Sequence, residues 1–73
     1  MMSNSRKTVG ANLRFYRKAR GFSQEKLAFS AGIDSGYISM LELGKVNVSI
    51  DFLDRICAVL KIEPVMLFQK PVV

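Results

Sequence analysis

The sequence contains no histidine and no tryptophan, and it has a single cysteine and only two prolines. Histidine is the side chain that most often serves as a general acid or base, and one cysteine cannot form an internal disulfide bond. No apolar run approaches the roughly 18 residues that span a bilayer, and no hydrophobic signal segment begins the chain. These absences argue against an enzyme, a membrane protein and a secreted protein. We therefore expect a cytoplasmic protein that needs no cofactor or metal and no small-molecule ligand.

Acidic residues are missing before Glu25, whereas six basic residues occur in that part of the chain. The net charge of the whole chain is +5. A segment of this charge is a natural partner for a polyanion such as nucleic acid. A solvated helix face accounts for the same run, so the charge alone does not decide between the two.

The apolar spacing predicts an all-α protein. Helix 1 is predicted over residues 6–20, and two short helices follow within residues 24–44. Ser49 is placed to cap a fourth helix, and Pro64 is placed to begin a short fifth helix. Hydrophobic residues make up 49% of the chain, which argues against disorder.

The length of the chain fits one domain with a small core, for which dimerisation is a plausible source of extra stability. We expect the domain to cover residues 1–73, with a flexible N-terminus over residues 1–5 and a tail over residues 69–73.

The middle of the chain carries the strongest local signals. Ser23 is placed to cap the first of the two short helices, and Gly32 can adopt the positive φ that suits its end. Asp34 is placed to cap the next helix, whose inner face is marked by Ile38 and Leu41. Two short helices joined by a tight turn form a helix-turn-helix arrangement.

A longer pattern extends this arrangement over roughly residues 9–68. Its residues are Ser23-Gln24-Glu25, Leu27-Ala28, Ala31-Gly32-Ile33, Tyr37-Ile38-Ser39, Leu41-Glu42, Gly44-Lys45, Asn47-Val48-Ser49, Leu53, Ile56, Leu60 and Pro64. On these residues the chain resembles the phage repressor/Cro-type (XRE-like) helix-turn-helix family, and within it the small controller proteins of restriction–modification systems. The resemblance implies a compact five-helix bundle of the lambda-repressor-like DNA-binding domain type.

Arg17 follows Leu13 by one turn, on the side of helix 1 that is predicted to face the core. An unpaired charge there would cost several kcal/mol, so the guanidinium needs a partner. The family resemblance implies an ion pair with Glu42, which would join helix 1 to the end of helix 3. Two independent surface charges are the alternative.

The outward face of the second short helix is where base contacts are expected. Its candidate residues are Ser35, Gly36, Ser39, Met40 and Leu43. None of them is Arg, Lys, Asn or Gln, so the bidentate contacts to guanine or adenine are missing. The serines can make single hydrogen bonds, and Met40 can touch a thymine methyl group. Specificity therefore rests on DNA shape, or this surface meets another partner.

Contacts to the DNA backbone are better supplied. Gln24 lies at the start of a helix, where a phosphate is favoured, and the family uses a glutamine at this position in that way. Tyr37 is placed to reach backbone oxygens. Lys45 and Asn47 lie in the loop that resembles the second phosphate clamp of the family. For each of them, an ordinary polar surface residue is the alternative.

The C-terminal segment contains more apolar residues than one helical turn can bury. We expect Val65, Met66 and Phe68 to form a subunit interface, since small members of the family commonly dimerise near this end. A plug that only closes the core is the alternative.

Together these features predict a sequence-specific transcriptional regulator that binds double-stranded DNA as a homodimer on a near-palindromic operator. Autoregulation, as in restriction–modification controller proteins, is part of this hypothesis. The second hypothesis is an antitoxin-like or regulatory protein-interaction module that binds DNA weakly.

Overall fold

A computed structural model describes residues 4–70 of the chain. Its elements are α1 (Ser5–Ala19), α2 (Gln24–Ala31), α3 (Ser35–Glu42), α4 (Ile50–Leu60) and a 3-10 helix (Pro64–Leu67). The described range contains no strand, which confirms the all-α prediction. None of its helices is long and apolar enough to cross a membrane.

The prediction of five helices is wrong, because the fifth element is a single 3-10 turn. Its bonds join residues three apart: the N–H of Met66 donates to the carbonyl of Glu63 at 2.9 Å, and that of Phe68 to Val65 at 3.0 Å. Only four residues are helical here, which is too few to propagate the i to i−4 ladder of an α-helix. The turn ends by directing Leu67 into the core, where it is fully buried.

The predicted helix caps are present. The hydroxyls of Ser23 and Ser49 each accept a hydrogen bond from the N–H three residues later, at 3.0 and 3.1 Å. The Asp34 carboxylate accepts from the N–H two residues later at 2.9 Å. Between α2 and α3, Gly32 adopts the left-handed backbone conformation with φ of 68°, which residues with a Cβ rarely adopt. These local interactions set the turn that positions α3.

The predicted chain ends are only partly described. Residues 1–3 and 71–73 lie outside the described residues. Ser5, predicted to be flexible, is the first residue of α1. The carbonyl of Gln69, predicted to belong to a tail, accepts a hydrogen bond from the side chain of Asn12 at 2.7 Å.

Buried apolar side chains from all five elements form one core cluster. Its members are Val9, Leu13, Leu27, Ala28, Ala31, Ile33, Ile38, Leu41, Leu53, Ile56, Cys57, Leu60, Ile62 and Leu67. Full burial of each leucine or isoleucine contributes about 1.5–3 kcal/mol, so this cluster supplies the main driving force for folding.

Gly10 lets α1 pass very close to the end of α3. A Cβ placed on Gly10 would lie 2.8 Å from the carbonyl oxygen of Glu42 and would also clash with the carbonyl oxygen of Leu41. Both neighbours are backbone atoms, which cannot move aside as a flexible side chain can. The absence of a side chain at Gly10 therefore allows α1 to lie against the end of α3.

Candidate functional site

Helix α3 presents one face to the core and the other to solvent. Ile38 and Leu41 are 0% and 3% exposed, as the sequence predicts. On the outer face Met40 is 39% and Leu43 is 59% exposed. The helix is therefore accessible along the side on which base contacts were predicted.

Small residues leave the first half of α3 open. Gly36 is exposed, and Ser35 and Ser39 are partly exposed. All three line a shallow groove between α3 and the start of α2, together with Ser23 and Gln24. A ligand backbone can therefore come close to both helices at this point.

Arg17 and Glu42 form an ion pair beside this groove. Arg17 Nε donates to Glu42 Oε2 at 2.6 Å, and Nη2 donates to Oε1 at 3.0 Å. The two side chains are 9% and 4% exposed. The remaining guanidinium nitrogen, Nη1, donates to the carbonyl of Phe22 at 2.8 Å, so the pair also holds the segment that leads into α2.

The same carboxylate orients Gln24. Its Nε2 donates to Glu42 Oε1 at 3.0 Å. An amide nitrogen carries two hydrogens, so one donor of Gln24 remains for a phosphate at the start of α2. The phosphate contact of Gln24 stays a prediction. In the free protein, the amide nitrogen of Gln24 is already held by the carboxylate of Glu42.

The loop between α3 and α4 is held from two sides. The hydroxyl of Tyr37 donates to the carbonyl of Asn47 at 2.7 Å, and Nε of Arg6 donates to Asn47 Oδ1 at 2.8 Å. The ring of Tyr37 packs edge-on against Phe52, with 5.2 Å between ring centroids. Lys45 and Asn47 are both exposed on this loop.

These contacts change what is expected of Tyr37. Its hydroxyl has one proton, and that proton is donated to the loop. A hydrogen bond from Tyr37 to a phosphate oxygen would require this contact to break. In the free protein Tyr37 supports the loop that carries Lys45 and Asn47.

Sequence reasoning did not single out Arg6 and Arg14 as individual site residues. Arg14 is exposed and borders a depression with Gln24, Ser39 and Leu43, beside the outer face of α3. The basic run in the first part of the chain was the available signal for both. Their placement next to α3 and its loop depends on tertiary contacts that the run does not specify.

The predicted interface residues lie around the C-terminal 3-10 helix. Val65 is 60% and Phe68 is 50% exposed, whereas Met66 is partly buried. The sulfur of Met66 accepts a hydrogen bond from the N–H of Glu63 at 3.4 Å. The structure therefore presents Val65 and Phe68 outward and uses Met66 partly to close the turn.

Asn12 is a second residue that sequence reasoning missed. It is 5% exposed, and its Nδ2 donates to the carbonyls of Leu67 at 2.9 Å and Gln69 at 2.7 Å. An asparagine within a helix gives no local signal for such a contact. It fastens the C-terminal segment to α1.

The remaining reactive groups give no sign of catalysis. Burial, with a smaller contribution from the charges of Asp54 and Glu63, raises the pKa of the Cys57 thiol to about 11. A thiol that stays protonated is a poor nucleophile. Within residues 4–70, no three histidine, cysteine, aspartate or glutamate residues gather as potential metal ligands.

Comparison with known proteins agrees with this geometry. The helix-turn-helix domain family matches residues 10–73. The HTH-type transcriptional regulator SlrR of Bacillus subtilis is 38% identical over 62 residues, which cover 84% of this chain and 41% of SlrR. The chain therefore spans less than half the length of that regulator.

Solved structures show the same fold. The restriction–modification controller protein C.AhdI from Aeromonas hydrophila superposes with a TM-score of 0.83 at 41% identity, covering 86% of this chain and 96% of C.AhdI. The N-terminal DNA-binding domain of SinR from Bacillus subtilis superposes with a TM-score of 0.84 at 32% identity, covering 92% and 99% of the two chains. SinR has also been solved in complex with DNA.

Proposed function

Because the chain belongs to the helix-turn-helix domain family, we propose that it is a transcriptional regulator that binds double-stranded DNA as a homodimer. The observation that carries this proposal is the outward display of α3 between two sets of potential phosphate ligands. Gln24 lines the groove beside the first half of the helix, and Lys45 and Asn47 are exposed on the loop that follows its end. A cytoplasmic location, where such a protein meets DNA, goes with this proposal.

In the proposed complex the first turns of α3 enter the major groove. The hydroxyls of Ser35 and Ser39 donate to base edges, and Gly36 allows the backbone to come close. Met40 packs against a thymine methyl group. Single hydrogen bonds discriminate less than bidentate ones, so the shape and deformability of the operator supply much of the specificity.

The backbone contacts position the protein without selecting a sequence. Gln24 and the start of α2 bind one phosphate, while Lys45 and Asn47 bind another. Tyr37 reaches the DNA backbone only if its hydrogen bond to the loop is released.

A dimer formed through Val65, Met66 and Phe68 would present two copies of α3. Their separation should be about 34 Å, one turn of DNA, which calls for a near-palindromic operator. C.AhdI is a restriction–modification controller protein, and the similarity to it supports a regulatory role for this chain. Autoregulation, from an operator near the gene of the protein itself, is part of this proposal.

One observation favours a second candidate function, a protein-interaction module of the antitoxin-like or regulatory kind with weak DNA binding. The large apolar side chains Met40 and Leu43 are 39% and 59% exposed on the face that would meet DNA. A protein partner that covers α3 would bury them.

Fluorescence anisotropy with a labelled duplex from the region upstream of the gene tests the proposal, with a scrambled duplex as competitor. For about eight phosphate contacts per dimer, the slope of log K against log salt should be about −7. Ser39→Glu should abolish binding, whereas Ser30→Glu, the same change at an exposed position in the last turn of α2, should not. Affinity that does not change with salt, or equal effects of the two substitutions, would contradict the proposal.

A further inference from the structure

The first turn of α1 contacts the loop between α3 and α4. Arg6 Nε donates to Asn47 Oδ1 at 2.8 Å across 41 residues of sequence, although both side chains are exposed. The backbones are also close here, because a Cβ on Gly44 would lie 3.1 to 3.3 Å from atoms of Lys7. The Arg6 contact is thus part of a packed junction between the helix and the loop.

The chemistry of this contact determines which way the Asn47 amide faces. A guanidinium N–H can only donate, so the amide atom that faces Arg6 must be the oxygen. The backbone carbonyl of Asn47 is likewise engaged, by the hydroxyl of Tyr37. With Oδ1 turned to Arg6, the Asn47 side chain has its amide nitrogen, Nδ2, left for another contact, and Nδ2 is a donor.

Arg6 itself has unused donors. A guanidinium carries five N–H groups, and Arg6 uses one of them in the contacts found within residues 4–70. Its Nη groups and Nδ2 of Asn47 are therefore available as donors, on two exposed side chains that are joined by a hydrogen bond. A phosphate oxygen accepts such charge-assisted hydrogen bonds well.

We propose that Arg6 orients the Asn47 amide and that the two side chains together clamp one DNA phosphate. This inference rests on the proposed DNA-binding function and assigns Arg6 to it as a positioning residue that also supplies charge. The clamp is formed before DNA arrives, so little side-chain freedom remains to be lost on binding.

A double-mutant cycle on DNA binding tests the clamp, with a mixed-sequence duplex as the probe because a phosphate contact does not depend on sequence. Arg6→Gln should weaken binding about tenfold or more and reduce the salt slope by about 0.9 per protomer. Asn47→Ala should weaken binding without changing the slope, since it removes no charge. The double variant should bind more tightly than the product of the two effects, because Arg6→Gln already releases the amide.

Arg6→Lys separates positioning from charge. It should keep the wild-type salt slope but lose affinity, because a lysine ammonium cannot hold the amide and the phosphate in one rigid fork. Lys61→Asn is the matched control for loss of one charge. Lys61 is the C-cap of α4 and lies near the C-terminal end of α1, where Arg20 donates to its carbonyl at 3.4 Å. Its φ of 56° suits asparagine.

The outcomes separate the clamp from the proposed function. The clamp is supported if the double variant loses less affinity than the product of the two single losses. It also requires that Arg6→Lys keep the wild-type salt slope and that Lys61→Asn change the affinity little. Independent effects of Arg6 and Asn47, or wild-type affinity of Arg6→Lys, would overturn it while leaving DNA binding intact. If the wild-type protein binds neither the mixed-sequence duplex nor the duplex from the region upstream of the gene, the proposed function is overturned instead. Unchanged thermal unfolding of each variant shows that the fold is retained.

Discussion

Replacing Arg17 by methionine would leave the carboxylate of Glu42 buried without its cation. The Glu42 side chain is only 4% exposed and receives two hydrogen bonds from Arg17, at 2.6 and 3.0 Å. Removing one partner of such a pair costs about 3–5 kcal/mol, because the other charge stays desolvated. A domain of this size is stable by about 4–11 kcal/mol in total, so the variant should be close to unfolding. The melting temperature should fall by at least about 12 °C.

The double variant Arg17→Met with Glu42→Leu distinguishes a desolvated charge from lost packing. It removes both charges and should recover most of the stability, with a coupling of at least about 2 kcal/mol. Urea unfolding followed by far-UV circular dichroism, at one protein concentration, measures the cycle. Arg14→Met is the control, since exposed Arg14 should change stability by no more than about 0.5 kcal/mol. Additive effects of the two single substitutions would refute the argument that the pair is energetically coupled.

Three further predictions follow from other parts of the fold. Gly10→Ala should lower the free energy of unfolding by about 2 kcal/mol, because the new Cβ meets two carbonyls of α3. This loss is expected although alanine has a better helix propensity than glycine, and chemical denaturation will measure it. Because burial raises the pKa of the Cys57 thiol to about 11, the folded state keeps this proton at a pH where the unfolded state has lost it. The free energy of unfolding should therefore fall by about 2–3 kcal/mol between pH 9 and pH 11. A Cys57→Ala variant should lack that part of the pH dependence. Charged substitutions at exposed Val65 and Phe68 should shift the proposed dimer toward monomer without unfolding it, as sedimentation equilibrium would show; an unchanged association constant would rule out this interface.

Local signals accounted for most of the secondary structure. The N-caps Ser23, Asp34 and Ser49 were predictable because each side chain bonds to a backbone group only two or three residues away. Helical spacing likewise predicted that Ile38 and Leu41 are buried. The prediction of a fifth helix was wrong because the apolar run beginning at Pro64 resembles a helix in sequence, while its few residues can form only one 3-10 turn.

Contacts between distant residues were not predictable from the residues alone. The bonds of Asn12 to the C-terminal segment and of Arg6 to Asn47 link positions more than 40 residues apart. No periodicity or cap rule describes such pairs. The Arg17 and Glu42 contact was expected only because the family resemblance implied it, and the core position of Arg17 required some partner.

Asn12 has a consequence for geometry beyond its own burial. Its side chain ties the segment bearing Val65 and Phe68 to α1, and the same helix touches α3 through Gly10. In the proposed dimer, α1 would then fix the distance between the twofold axis and α3. The spacing of the operator half-sites would then depend on the contacts of α1 with the C-terminal segment and with α3.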